Sequence, residues 1–217
     1  MYEIPIFPLH TVLFPGISLP LHIFESRYKK MINACLEGDK LFGVVLIHQG
    51  SEAFGPLPEP HLIGCTARIL DVHRLDEGRM NLTTLGEHRF LINSISDELP
   101  YLTAQVDLFP FEENDSKELK SAVIRIVPKV KRYIRMLNEI ENVKIDEENI
   151  HDDPISLASF AATLLQMPPD EKQGLLESSS ILNLLNATDK FYLREIAFLR
   201  TFIDQGQDKA HSRIIEN

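Results

Sequence analysis

The sequence predicts an α+β protein. A small bent β-barrel or curled sheet is expected over residues 1–112, a helical part over 113–205 and a frayed tail over 206–217. Three observations predict it. The first half is a series of short apolar or alternating runs broken by Pro and Gly, with a single helical pattern near 25–37. One of those runs changes its apolar face midway, as a bulged or bent strand does. The second half repeats its apolar residues at spacings of three and four, and strands followed by helices are the α+β order.

The opening stretch, IPIFPLHTVLFPGISLPLHIFESRYKKMI, holds prolines at 5, 8, 15 and 20 among Ile, Leu, Val and Phe. Proline lacks an N–H and is confined to strand starts, edges and bulges, yet the segment is too apolar for a solvated linker. Two short strands near 3–8 and 18–23, joined by an irregular crossing through Pro15-Gly16, satisfy both demands. Phe24, Tyr28, Met31, Ile32, Cys35 and Leu36 then share one helical face, with Gly38 as a C-cap. KLFGVVLI (40–47) reads as a buried strand and HQGSEAFGPLPEPH (48–61) as an irregular loop. In LIGCTARILDVHRL, Ile63, Cys65, Ala67 and Ile69 share a face before the phase moves to Leu70 and Val72. Asp76-Glu77-Gly78 turns the chain into RMNLTTLGEHRFLI as a hairpin, and YLTAQVDLF alternates cleanly.

The helical half opens on Asp115-x-x-Glu118, which has the form of a capping box. Leu119, Val123, Ile126, Val130, Tyr133 and Leu137 follow at helical spacing, and Pro128 among them predicts a bend or a split. Residues 139–153 read as an acidic linker, with Asp153 as N-cap and Pro154 as first residue of a helix over 154–166. Pro168-Pro169 interrupts the chain before a short helix with Asp170 and Glu171 in its first turn. A long last helix begins at Ser180.

Of the 217 residues, 44% are hydrophobic and 25% charged, an ordinary globular composition. The net charge of −10 is spread evenly, with 8 basic and 13 acidic residues in 1–110 and 14 and 19 in 111–217. Such acidity argues against broad nucleic-acid binding, which rests on neutralising phosphates. Two cysteines, Cys35 and Cys65, make neither a disulfide framework nor a CxxC zinc pair. The N-terminal run lacks a basic region and is broken by proline, so it is not read as a signal peptide. No apolar stretch is long enough to span a membrane, and the expected location is the cytoplasm.

No GxxxxGK[ST], GxGxxG, GxSxG or HExxH motif occurs, so no catalytic residue, cofactor or metal is assigned. His61 and Cys65 lie four apart on an extended segment, roughly 13 Å, too far to share a metal. They read as a loop histidine and a core cysteine, and Cys35 as a buried small hydrophobe. Lys117, Lys120, Arg125, Lys129, Lys131, Arg132 and Arg135 face Glu118 alone within 117–135, while 139–153 holds seven acids against Lys144. That pattern reads as a solvated basic face with an acidic neighbour, or, more sharply, as a docking surface for an acidic partner or nucleic acid. The candidate peptide-binding residues are Phe54 and Leu57, apolar side chains on the loop 48–61 restrained by Gly55, Pro56 and Pro58. Phe14, in the crossing, is read as a plug of the barrel end.

Pro8-Leu9, Phe14-Pro15-Gly16, Pro20-Leu21 and the helix from Glu25 resemble, in order, the opening of the amino-terminal substrate-binding domain of Lon protease, the ATP-dependent protease La. Gly64, Ala67, Gly78, Gly86 and Arg89 are similar to that family's next block, and MPPDEKQGLLE with the long last helix to its helical part. The resemblance covers residues 3–204 and implies a PUA-like β-barrel followed by a helical bundle, in a stand-alone form of the domain. It also implies a non-enzymatic module that recognises unfolded polypeptide segments or a partner protein. The ATPase and Ser–Lys peptidase modules that follow the domain in the protease have no counterpart here, so neither activity is expected. PUA-like barrels also serve nucleic-acid-binding proteins. RNA binding through 117–135 is therefore one alternative, and an undetected hydrolase is another.

Overall fold

A computed structural model describes residues 1–52, 56–112, 116–141 and 144–215, with backbone alone at 141, 149 and 202–215. In chain order its elements are β1 (Tyr2–Leu9), β2 (Ser18–Ile23), α1 (Ser26–Glu37), β3 (Leu41–Gln49), β4 (Glu59–Pro60), β5 (Ile63–Arg74), β6 (Met80–Ser96) and β7 (Leu102–Leu108). Four helices follow: α2 (Lys117–Glu141), α3 (Pro154–Leu164), α4 (Pro169–Leu176) and α5 (Ile181–Ile215). The chain divides into two units, Met1–Glu112 with Met167–Ser178, and Glu113–Gln166 with Ser179–Asn217. No described helix is long and apolar enough to cross a membrane.

In the first unit β1, β7, β6, β5 and β3 pair in that order, and β3 returns to pair parallel with β1, so the five strands close on themselves. β2 lies outside this ring along the first half of β6, and β4 on the outer side of β3. Proline is tolerated in both because each pairs on one side only. Inside the ring, Ile4, Ile6, Val45, Phe90, Ile92 and Val106 form one apolar cluster. The ring is narrow: a Cβ on Gly43 would lie 2.6 Å from Phe90 Cζ, and one on Gly64 would lie 2.4 Å from the Val44 carbonyl oxygen. A second cluster joins Tyr28, Met31, Ile32 and Cys35 of α1 to Phe7, Phe42, Ile69, Met80 and Leu82. The period predicted these four and Leu36, which packs half-buried beside them, whereas Phe24, expected on the same face, precedes the helix and is 41% exposed.

The crossing between β1 and β2 buries Val12, Leu13 and Phe14, with Phe14 wholly inaccessible as its reading as a plug requires. Gly16 adopts φ +78°. Its N–H donates to the Gly86 carbonyl at 2.8 Å, and the Gly86 N–H donates to the Ile17 carbonyl at 2.9 Å. The predicted bend in β5 is realised as a register shift between Ile69 and Asp71. Val72 thereby packs against the core, whereas Leu70 is 57% exposed and does not join it. The loop 48–61, read as irregular, contains β4.

In the second unit α2, α3 and α5 pack around Tyr133 and Tyr192, whose rings meet edge to face at 5.2 Å. Each buried hydroxyl is used: Tyr192 donates to the Ala161 carbonyl at 2.8 Å, and Tyr133 accepts from the Gln166 N–H at 3.1 Å. α2 runs through Pro128 without a break, so the predicted split does not occur. Pro128 and Ile124 are both exposed, and the carbonyl that the proline leaves without a donor lies on the solvent side. Asp115 of the predicted capping box lies outside the described residues; the Ser116 hydroxyl accepts from the Leu119 N–H at 3.1 Å instead. Where a frayed tail is expected from 206, α5 continues to Ile215.

Asp153 caps α3 as its position predicts, accepting from the Ser156 N–H at 2.8 Å. That bond holds the carboxyl below its usual range. A depressed carboxylate contributes stability that is present above its unfolded-state pKa and lost as pH falls through the folded value. Asp153→Ala is expected to cost about 1 kcal/mol at neutral pH. Asp153→Asn should keep the cap and remove that share of the acid sensitivity. Urea unfolding at neutral and acidic pH checks both.

Candidate functional site

A groove of about 410 Å³ lies open on the outer face of β2, β6 and β5. Strand register builds it. Pro20 stands opposite Thr83, which stands opposite Asp71, and His22 opposite Asn81, which stands opposite His73. Two rows of three side chains thus cross three strands. His22 Nδ1 lies 2.6 Å from Asn81 Oδ1, a polar contact within the second row. On the other face the intervening residues, Ile23, Met80, Leu82 and Val72, pack toward α1.

The bulge in β5 is what creates this face. Side chains alternate along a strand, and Cys65, Ala67 and Ile69 point into the core. Without the register shift after Ile69, Asp71 and His73 would follow them inward. With it, both face solvent in the groove. A bulge that re-aims side chains beside a binding surface is a recurrent device.

At His22 the groove adjoins a smaller cavity of about 40 Å³, lined also by Phe7, Phe24, Glu25, Tyr28 and Glu52. Phe7 and Tyr28 are in ring contact at 4.2 Å, and the Arg27 guanidinium covers the Tyr28 ring at 4.8 Å. Arg27 pairs with Glu25 at 3.1 Å and donates to the Glu52 carbonyl at 3.3 Å. Burial pushes the Tyr28 hydroxyl up to about 12, so it stays protonated.

Arg89 is a buried charge with a different task. Its Nη1 donates to the carbonyls of Leu176 at 2.5 Å and Ser178 at 2.7 Å, at the end of α4. The rings of Phe111 and Phe109 lie 3.4 and 4.7 Å from the guanidinium carbon. Burial lowers its pKa to about 10, which leaves it charged at neutral pH. Gln173 adds a donor to the Ile63 carbonyl at 2.9 Å. These contacts attach 167–178 to the sheet unit, whereas the sequence groups that segment with the helices.

Of the predicted binding residues, Phe54 lies outside the described residues, and Leu57 is half-buried, packing partly against the cluster inside the ring. Glu52 of the same loop reaches the small cavity. Both cysteines are buried, and burial pushes the Cys35 thiol up to about 11 and the Cys65 thiol further. Neither is a ready nucleophile. His61 sits 3.8 Å from Asp170 and 3.9 Å from Glu177, apart from Cys65. Among the described residues no group of three His, Cys, Asp or Glu has the spacing of a metal site. The basic face of α2 is partly neutralised: Arg125 and Lys129 pair with Asp189 at 3.3 and 2.5 Å, and Arg135 with Glu147 at 2.6 Å. The groove residues escaped the sequence reading because they are single polar side chains on three strands. The phase switch in β5 was the one signal that pointed to them.

The family model of the ATP-dependent protease La (LON) substrate-binding domain matches residues 3–188. Lon protease of Flavobacterium johnsoniae is 30% identical over 185 residues, which cover 82% of this chain and 22% of that protein. Lon protease 2 of Myxococcus xanthus is 27% identical over 210 residues, 93% of this chain and 25% of that protein. The chain thus spans about a quarter of the length of these relatives. A Lon N-terminal domain protein from Xanthomonas campestris shares the fold at TM-score 0.60 and 23% identity, over 86% of this chain and 96% of that one. The N-terminal domain of a Mycobacterium avium complex Lon protease does so at TM-score 0.64 and 21% identity, over 88% and 98%.

Proposed function

This chain belongs to the ATP-dependent protease La (LON) substrate-binding domain family, and from that premise we propose that it is a binding module, without catalysis of its own, for extended segments of unfolded polypeptides or of a protein partner. The observation that carries the reading is the open groove on β2, β6 and β5. Its two rows repeat at the two-residue period of strands, and an extended peptide presents its own side chains at that same period. Strand addition is the other common way for a sheet to take a peptide. At the β2 edge that route is short of a donor, since Pro20 has no N–H. Phe54 and Leu57 belong to the loop whose Glu52 lines the cavity beside the groove, and in this reading they are further contacts for the bound segment. The raised thiols support a role without nucleophilic chemistry, and the paired cations of α2 favour polypeptide over nucleic acid.

Titration of the unfolded and native forms of one protein tests the reading. The unfolded form is expected to bind at least about tenfold more tightly, a difference of about 1.4 kcal/mol; equal failure of both to bind overturns it. Thr83→Arg sets a long charged side chain in the middle of the groove. It should weaken binding by at least about tenfold while stability stays within about 0.5 kcal/mol, as for an exposed position.

A further inference from the structure

We propose that the cavity beside the groove is a lysine pocket, which takes the side-chain ammonium of a lysine in the polypeptide that the groove holds; the inference rests on the groove reading. The primary observation is an orphaned oxygen. Tyr28 is 2% exposed, lines the cavity, and its hydroxyl has no hydrogen-bond partner among the described residues. A buried hydroxyl without a partner is costly, and a ligand that supplies a donor removes the cost.

Charge selects the ligand. Two carboxylates, Glu25 and Glu52, line the cavity, and Arg27 offsets one of them. The balance is one negative charge, which favours a cation over a neutral or anionic group. Size narrows the choice. A volume of about 40 Å³ takes the compact tip of a side chain, and a point-like ammonium fits it better than a planar, five-donor guanidinium. An ammonium brings three donors to the Tyr28 oxygen and the carboxylates. The walls suit the rest of the side chain. Phe24, 41% exposed at the mouth of the cavity, offers apolar surface to the four-carbon stem that carries the ammonium in. His22, shared by groove and cavity, leads from one to the other and stacks on Phe24 at 5.9 Å.

The test uses three extended, N-acetylated, fluorescent peptides that differ at one position, lysine, norleucine or arginine, so that the lysine peptide has the sole primary ammonium. The lysine peptide is expected to bind at least about tenfold more tightly than the other two, about 1.4 kcal/mol. Tyr28→Phe, which removes the orphaned oxygen and keeps the ring, should bring the lysine peptide to the norleucine level without lowering the melting temperature. Glu52→Gln should narrow the same gap by removing the excess charge. Equal binding of the three peptides, still abolished by Thr83→Arg, overturns the pocket and leaves the groove standing. A lysine preference that survives Tyr28→Phe also overturns the pocket. Binding of none of them overturns both.

Discussion

Replacing Arg89 by alanine is expected to lower the unfolding free energy by about 3–5 kcal/mol, the range for deleting a large buried side chain. The side chain is 2% exposed and fills the space beside Phe109 and Phe111. Its loss also strips the donor from two carbonyls, Leu176 and Ser178, and each buried acceptor left unpaired costs about 1–3 kcal/mol. Two of its own nitrogens, Nε and Nη2, have no hydrogen-bond partner among the described residues, which moderates the total because removing them relieves a desolvation cost. Arg89→Lys should recover little, since an ammonium lacks the planar face that meets the two rings, and the shorter side chain must still reach both carbonyls. Denaturant unfolding gives the magnitude, and amide exchange at Leu175, Leu176 and Glu177 gives the place. Loss of protection confined to α4 marks Arg89 as its anchor. Stability within about 1 kcal/mol of the parent, with α4 still protected, would show that the segment is held by its apolar contacts alone.

Gly86→Ala should be nearly as severe, although it adds a single methyl group. A Cβ there would stand 2.3 Å from the Phe14 carbonyl oxygen and 3.1 Å from Leu13 Cγ. The first contact is with backbone, which has no rotamer by which to move aside. The crossing must therefore lift from β6, and the two hydrogen bonds between Gly86 and residues Gly16 and Ile17 go with it. Because Phe14 is wholly buried, displacing it approaches the cost of removing a core aromatic, about 3–5 kcal/mol. Gly16→Ala is the control. Its φ is +78°, yet nothing lies within 4 Å of the added atom, so it should cost about 1–2 kcal/mol from left-handed strain alone. Thermal melts of the two variants separate the effects: a Gly86→Ala protein as stable as Gly16→Ala would mean that the crossing yields easily.

Gly86 and Arg89 are two of the residues that carry the family resemblance, and the structure gives each a task. Gly86 admits the proline-rich crossing against β6, and Arg89, three residues on, binds the end of α4. The residues were legible as a pattern, but their partners lie in segments far along the chain. Pro128 shows the opposite limit. A local rule predicted a bend or a split, and of these the split does not occur: Ile126, Val130, Tyr133 and Leu137, all buried, pack along α2 on both sides of Pro128. The acidic and basic runs of the second half likewise hid specific pairs, such as Lys129 with Asp189.

What the sequence determined by itself is local. The period of its apolar residues set which face of α1 is buried, the Asp153-Pro154 pair began α3, and the change of phase after Ile69 placed the bulge in β5. Each depends on neighbours within a few residues, so each is readable from the chain. The tertiary structure decided what meets what. His22 and Asn81 stand 59 residues apart in sequence and 2.6 Å apart in space. α4 joins the sheet unit rather than the helices that flank it in the chain. Register between strands and the docking of a short helix depend on packing summed over the whole unit. A groove made of one polar residue at a time from three strands therefore exists only once those strands have paired.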